Sequence, residues 1–387
     1  MVTAAAGART DEAAARIAPV DGLRGLAILA VVFQHDYAPY LTQAVVATGL
    51  LPHPYLIGNG WMGVSLFFVL SGFVLSLPFF EGRRKFESGS DYVGFVRHRA
   101  HRLLPLMFLA SGVGFIGTVT GWPALRSFLL TTSTLGMFTY NEFFPTVFPV
   151  GWSLAVEIWA SLLLPFIILA SLRFGWLRTL ASILLVALAV RLVGTHFHFI
   201  NFHVRPLKDS VPARIDDFAV GAFIAALYAK GSLRLLPWWS FPAGVTSVVA
   251  AMALSDLGSF DLAPEWTFAF VNSFAQIGFG LMLAGAIGRP SPISRALSSW
   301  FLALAGAMCF SLYVWHVPFR GDQFISNPFG LRNNLNYWPP FLITALMTYR
   351  YVEFPRSTWW QVLRLGAFRR TVAPAPAEAL PPTVIAE

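Results

Sequence analysis

Two things that a chain of 387 residues usually carries in quantity are scarce here. There is one cysteine, Cys309, which excludes an internal disulfide framework and a cysteine-based zinc cluster. Charged residues make up only 12% of the chain, too few to cover the surface of a soluble domain of this size. Histidine is also sparse, at 8 residues, and no metal-ligand spacing emerges among them. Residues 1–19 hold Asp11, Glu12 and Arg16 but no apolar core, so they read as a cytoplasmic tail and not as a signal peptide.

What fills the chain instead is apolar. Hydrophobic residues reach 56%, aromatics 15%, and the mean hydropathy is +0.63. That composition predicts an all-α, polytopic transmembrane helical bundle. Apolar runs of spanning length fall near 23–41, 61–80, 103–121, 150–170, 177–195, 215–230, 238–255, 266–288, 298–319 and 338–354, about ten in all. With the N-terminus inside, twenty of the 27 lysines and arginines lie on the inner side and seven lean outward, which favours N-in, C-in. The net charge of +8 is therefore a signature of topology and does not point to nucleic acid. Residues 122–149 are long and aromatic for a simple loop and are expected to pack against the outer side of the bundle. One transmembrane domain is expected over 20–356. A cytoplasmic tail follows over 357–387, Pro/Ala-rich and disordered from about 371.

Charged and titratable groups inside apolar runs need a reason, because each costs about 2.5–3.5 kcal/mol on insertion scales. Arg24 and His35 share the first run, eleven residues apart. Eleven helical steps return a side chain to nearly the same face about 16 Å along the axis. A cation at the inner mouth and an imidazole further in suit a long anionic substrate that reaches inward. Glu157 stands five residues past the interfacial Trp152, so its carboxylate lies about 8 Å inside. At that depth it can meet His35, fixing the imidazole tautomer and raising its basicity, or it can serve as a plain ion pair between helices. Asp36 adjoins His35 but points about 100° away. His316, sixteen residues past Trp300, is placed about 24 Å up its helix near the outer surface, where it and Trp152 are candidates for the acceptor side. Cys309 reads as packing. On the inner side Arg99 and Arg102 are i,i+3 neighbours entering the third run, and with Arg24 they form a candidate phosphate-binding cluster.

These pieces, in order, resemble the bacterial acyltransferase-3 family of integral membrane O-acyltransferases. Arg24 and His35, inside Asp21-Gly22-Leu23-Arg24-Gly25-Leu26-Ala27, carry its Arg-x10-His hallmark. Gly63–Phe73, Arg99–Pro105, Trp152-Ser153-Leu154 with Glu157, Arg214–Phe218 with Gly221, Ser311-Leu312-Tyr313 with His316, and Tyr351–Pro355 follow. Leu104 and His101 depart from the pattern, standing where an aromatic and an apolar residue are usual. No fused hydrolase-like domain is expected. The resemblance implies transfer of an acyl group, acetyl above all, from cytoplasmic acyl-CoA to a hydroxyl of a cell-surface or exported carbohydrate at the bacterial plasma (inner) membrane, with no bound cofactor. It makes His35 and Glu157 the catalytic candidates and Arg24, Arg99 and Arg102 the ligands of the acyl-CoA phosphates. Direct transfer and an acyl-imidazole at His35 both remain open. The alternatives are acylation of a small glycosylated metabolite such as a macrolide, or a transporter or flippase, which predicts inverted repeats that the sequence does not display. The topology is testable by reporter fusions. Those at residues 90, 232 and 375 are expected to read cytoplasmic and those at 205 and 328 external, and an external signal at 90 would remove the proposed inner phosphate site.

Overall fold

The computed structural model describes residues 17–48, 56–117, 121–139, 143–196, 207–259, 262–320 and 330–363. The expected first tail up to residue 16 and the second tail from 364 lie outside these residues, as does Arg205. Every regular element among the described residues is helical. In chain order the α-helices are α1 (Ala18–Asp36), α2 (Ala38–Ala47), α3 (Met62–Phe80), α4 (Gly89–Gly117), α5 (Trp122–Thr132), α6 (Gly151–Phe174), α7 (Trp176–His196), α8 (Val211–Ala229), α9 (Ser240–Ser259), α10 (Phe268–Gly288), α11 (Pro292–Leu297), α12 (Trp300–Ala307) and α13 (Cys309–Trp315). The helices Leu331–Thr348 and Trp359–Leu363 close the described chain.

Each expected apolar run falls on a helix, but the ends differ. α1 starts at Ala18, with Pro19 in its first turn, where proline's missing N–H costs nothing. It stops at Asp36, where the expected run continued to 41. Pro39, inside α2, has no N–H to give the carbonyl of His35 four residues back, and Arg320 Nη1 takes that carbonyl instead. His35 is thus in the last turn of α1, not midway along a span. The ninth run is also split, with α12 and α13 meeting at Met308.

Among the described residues, six helical stretches are long and apolar enough to cross a membrane: Ile57–Phe80, Gly89–Gly117, Gly151–Phe174, Trp176–His196, Ser240–Ser259 and Glu265–Gly288. Their exposed sides are apolar. Ile116, Phe166, Leu177 and Leu185 are between 57% and 84% exposed, the reverse of a soluble helix and the pattern of a lipid-facing surface. The chain is a multi-pass membrane protein. α1 and α8 carry several charges each yet sit in the centre. α8 lies along α3, and α1 packs on α3 and α12. Residues 122–139 fold as α5 and a 3-10 turn over Leu135–Phe138, and 143–150 bury Phe143, Val147, Phe148 and Val150. Two large apolar cores and a small third cluster, Leu164 and Ile168 of α6 with Ala222 of α8, result. One large core gathers α3, α8, α9 and α10, the other α4, α6, α13 and the helix Leu331–Thr348, and α1 and α3 contribute to both.

The α3–α8 contact is set by two glycines. A Cβ on Gly72 would strike the carbonyl oxygen of Phe218, and one on Gly221 the carbonyl oxygen of Val69, so only glycine admits this backbone approach. Gly221→Val is expected to lower stability by about 1–3 kcal/mol through overpacking, read as an earlier thermal unfolding transition in detergent. An unchanged transition would show that the pair is not closely packed in solution.

Candidate active site

α1, α3, α4, α6 and α13 converge on a cavity of about 60 Å³ that is open to the centres of water-sized molecules. Arg24, Val64, Phe67, Phe68, Ser71, Arg102, Ser153, Leu154, Glu157, Cys309, Phe310 and Tyr313 line it. Its apolar wall comes from α3 and α13, and its charged wall from α1, α4 and α6. Arg24 is half-buried and Arg102 exposed at this site. The break at Met308 brings Cys309 and Tyr313 to the cavity from the start of a new helix, so Cys309 lines the site instead of serving only as packing.

Of the phosphate candidates, Arg24 and Arg102 face the cavity, but Arg99 does something else. It is buried, and its Nη2 donates to Glu157 Oε1 at 2.6 Å. Ser71 Oγ donates to the same oxygen at 3.2 Å. Glu157 is therefore held between α4 and α3 and presented to the cavity. The expected His35–Glu157 meeting does not occur among the described contacts.

His35 meets a residue 281 positions away. Its Nδ1 lies 3.1 Å from Nε2 of His316 and 3.0 Å from the carbonyl oxygen of Val31. The two rings are 4.9 Å apart, centroid to centroid. His316 Nδ1 lies 2.6 Å from the carbonyl oxygen of Tyr313. His316 is fully buried, so it is not at an outer surface open to an acceptor, and His35 is partly exposed. The expectation of unbroken spans misses that the first run stops at Asp36 and that the ninth is split at Met308. In the fold both stand at helix ends, His35 in the last turn of α1 and His316 at the C-terminal cap of α13. Tyr313 joins the pair to the cavity: its ring is 5.6 Å from that of His316, and its hydroxyl is 2.6 Å from Ser153 Oγ.

Sequence reasoning missed the groups around the pair. Arg320 Nη1 donates to the carbonyl oxygen of His35 at 2.5 Å. Tyr337 OH donates to Asp36 Oδ2 at 2.5 Å and approaches the carbonyl oxygen of His316 at 3.1 Å. Beyond His35, Trp338 Nε1 donates to Tyr37 OH at 3.0 Å, and their rings stack at 6.4 Å. Trp152 stacks on Phe143 at 5.9 Å. Glu353 Oε1 accepts from Ser311 Oγ at 2.5 Å. Tyr313, Ser311 and Glu353 stood inside motifs read from the sequence, whereas nothing local marked Arg320 or Tyr337.

A family model described as an acyltransferase domain, acyltransferase-3, matches residues 17–349. The chain belongs to the acyltransferase-3 family. It is 24% identical over 395 residues to the O-acetyltransferase OatA of Staphylococcus aureus (strain NCTC 8325 / PS 47), covering 91% of this chain and 60% of that protein. The peptidoglycan O-acetyltransferase OatA of Listeria monocytogenes serovar 1/2a is 23% identical over 370 residues, 87% of this chain and 55% of the relative. A putative acetyltransferase, ORF330, of Acidianus two-tailed virus is 25% identical over 309 residues, covering 76% and 81%. The chain thus spans a little over half the length of the two OatA proteins. No solved structure matches.

The Arg99–Glu157 pair makes a stability prediction independent of any substrate. Removing one partner leaves a buried charge unanswered, at about 3–5 kcal/mol, while replacing both with apolar residues can be near neutral. Glu157→Met is therefore expected to unfold at clearly lower temperature than the double variant Arg99→Met/Glu157→Met. Equal destabilisation by both would mean that the two side chains do not depend on each other.

Proposed function

We propose that this chain is a membrane O-acyltransferase that moves an acyl group, in the first instance acetyl, from cytoplasmic acyl-CoA to a hydroxyl of a carbohydrate at the outer face of the bacterial plasma membrane. The observation that carries the reading is one uninterrupted helix, α1, with Arg24 on the cavity and His35 about 16 Å further along it, while Arg102, Glu157 and Tyr313 complete the walls. Membership of an acyltransferase family and relatives named O-acetyltransferase support the reaction class. A relative named for peptidoglycan makes that glycan the first acceptor to test.

Arg24 and Arg102 take the donor phosphates, where guanidinium groups can bind in forks. Arg99 acts one step back, holding Glu157 in place. Glu157 acts on the cavity and not on the imidazole. Tyr37 and Trp338 beside His35 offer the flat aromatic faces that sugars stack on. His35 takes the acceptor's hydroxyl proton as the hydroxyl oxygen attacks the thioester carbonyl carbon. The C–O ester bond forms, the C–S bond breaks, and the proton on His35 passes to the departing thiolate, giving CoA-SH. Attack by His35 itself, giving an acyl-imidazole, is the two-step variant of the same site.

The reading includes about ten crossings with both termini inside, on the bias of the basic residues. At one side Arg289 Nε donates to Arg234 O at 2.6 Å and Trp300 Nε1 to Leu363 O at 3.1 Å. At the other, Asn59 Nδ2 donates to Asp256 Oδ1 at 2.7 Å, and Arg191 Nη1 to Ala213 O at 2.7 Å. α9, from beside Arg234 to Asp256, and α10, from beside Arg191 to Arg289, run in opposite directions between these two groups, as consecutive crossings do.

The reading is tested with acetyl-CoA and muropeptides in purified membranes. His35→Ala is expected to lose transfer by about 10²–10⁴-fold while acetyl-CoA still binds. Arg24→Ala and Arg102→Ala are each expected to weaken acetyl-CoA binding by roughly tenfold or more, the size of a lost charged hydrogen bond. Undiminished transfer by His35→Ala would remove the base assignment and the two-step variant with it.

A further inference from the structure

We infer that His316 is a positioning residue that fixes His35 in one tautomer, leaving Nε2 of His35 as the lone pair that takes the acceptor proton. This rests on the proposed role of His35 and adds to it the residue that makes the imidazole a directed base.

The argument is a chain of donors and acceptors in which each step is forced. A backbone carbonyl can only accept. His316 Nδ1, 2.6 Å from Tyr313 O, must therefore carry a proton. In neutral His316 the other nitrogen, Nε2, then holds a lone pair. That nitrogen faces His35 Nδ1 at 3.1 Å, so His35 Nδ1 must supply the proton between them. The second neighbour of His35 Nδ1 agrees, because Val31 O, 3.0 Å away, is again an acceptor only. Both contacts place the hydrogen of His35 on Nδ1, and its Nε2 is left basic. In free histidine the Nε2–H tautomer is the commoner one, so this protein imposes the reverse.

The same geometry prepares the charge that forms in the reaction. When Nε2 takes a proton, His35 becomes a cation whose Nδ1–H already points at a lone pair. His35 sits in the last turn of α1 and His316 at the end of α13, where helix dipoles present partial negative charge. Tyr313 O is one of the terminal carbonyls that a helix leaves unpaired, which is why a side chain can claim it. Two charged groups bear on the pair, Arg320 from beyond α13 and Asp36 from α1 itself. Arg320 holds the His35 carbonyl, and Asp36 is held by Tyr337. The cation of one and the carboxylate of the other offset each other locally. His316 thus fills the place that the sequence assigned to Glu157, and it does so with no net charge in the resting state.

Two measurements on the full chain decide it. Nitrogen-15 NMR of histidine-labelled protein in lipid nanodiscs, with His35 assigned by loss of its signals in His35→Ala, is expected to show His35 protonated at Nδ1 and bare at Nε2. The opposite tautomer would overturn the inference, whatever the acceptor proves to be. In transfer from acetyl-CoA to muropeptides, His316→Met is expected to cut kcat by roughly 100-fold, within the share a general base supplies, with KM for acetyl-CoA unchanged. His316→Gln, whose amide can still accept from His35, is expected to recover at least about tenfold of that loss. Full activity in His316→Met, or equal loss in both variants at equal thermal stability, would reduce His316 to packing. Full activity in His35→Ala would instead sink the reading on which the inference rests, while the NMR result would stand by itself.

Discussion

A charge placed among apolar helices has to be answered by a neighbour, and this requirement organises the whole bundle. Arg191, with no exposed surface, is met by Asp216 at 2.8 Å and by the carbonyl oxygens of Ala213 and Ala269, tying α7 to α8 and α10. Arg214 is met by Asp209 at 2.5 Å and by Ser65 at 2.8 Å, tying α8 to α3. Arg99 and Glu157 do the same for α4 and α6. Such pairs add little net stability over apolar packing, but breaking one is costly. Their effect is to fix which helices lie side by side. That is how α8, with Arg214, Asp216 and Asp217 in its first half, comes to lie at the centre.

The same constraint locates the cavity. α1 brings Arg24, α4 brings Arg102 and α6 brings Glu157 to one place, while α3 and α13 supply mostly apolar wall. Arg24 and Arg102 share this small space with Glu157, which Arg99 already holds from behind. The interruption at Met308 matters here for a mechanical reason. Met308 N still donates to Leu304 O and Leu312 N to Met308 O across the interruption, so the chain can turn toward the cavity there without stranding these carbonyls. Irregular backbone at depth is tolerated where it lines such a cavity.

Much of this could be read in the chain. The apolar runs marked each long helix, and the eleven-residue spacing put Arg24 and His35 on a single α1, because both are local properties of a helix. Family motifs flagged Tyr313, His316, Glu157 and Arg99 as residues of interest. Their pairing was not legible. Depth estimates treated every apolar run as an unbroken span, so Pro39 and the kink at Met308 went unweighed. His35 stands at a helix end where a continuing run was expected, and His316 is enclosed by Tyr313, Tyr337 and His35. Side-chain partners 58 residues apart, as for Arg99 and Glu157, or 281 apart, as for the two histidines, depend on how helices rotate against each other. Glycine contacts such as Gly72 on Phe218 set that rotation, and no periodicity reports it.

A pair of neutral histidines is a reasonable answer to the difficulty of placing a base in an apolar bundle. A carboxylate beside the imidazole strengthens it, but the resting site must then hold a net negative charge in surroundings that penalise charge. The His35–His316 pair holds none until a proton arrives. The cation that then forms is spread along a line of hydrogen bonds ending on the Tyr313 carbonyl, at the negative ends of two helices. Charge is stabilised only when it develops, by dipoles already in position, which is the condition under which electrostatics lowers a barrier instead of merely tightening a ground state. Of the carboxylates nearby, Asp36 is held by Tyr337 and Glu157 is left to balance the arginines of the cavity, so that the two jobs fall to different residues on different helices.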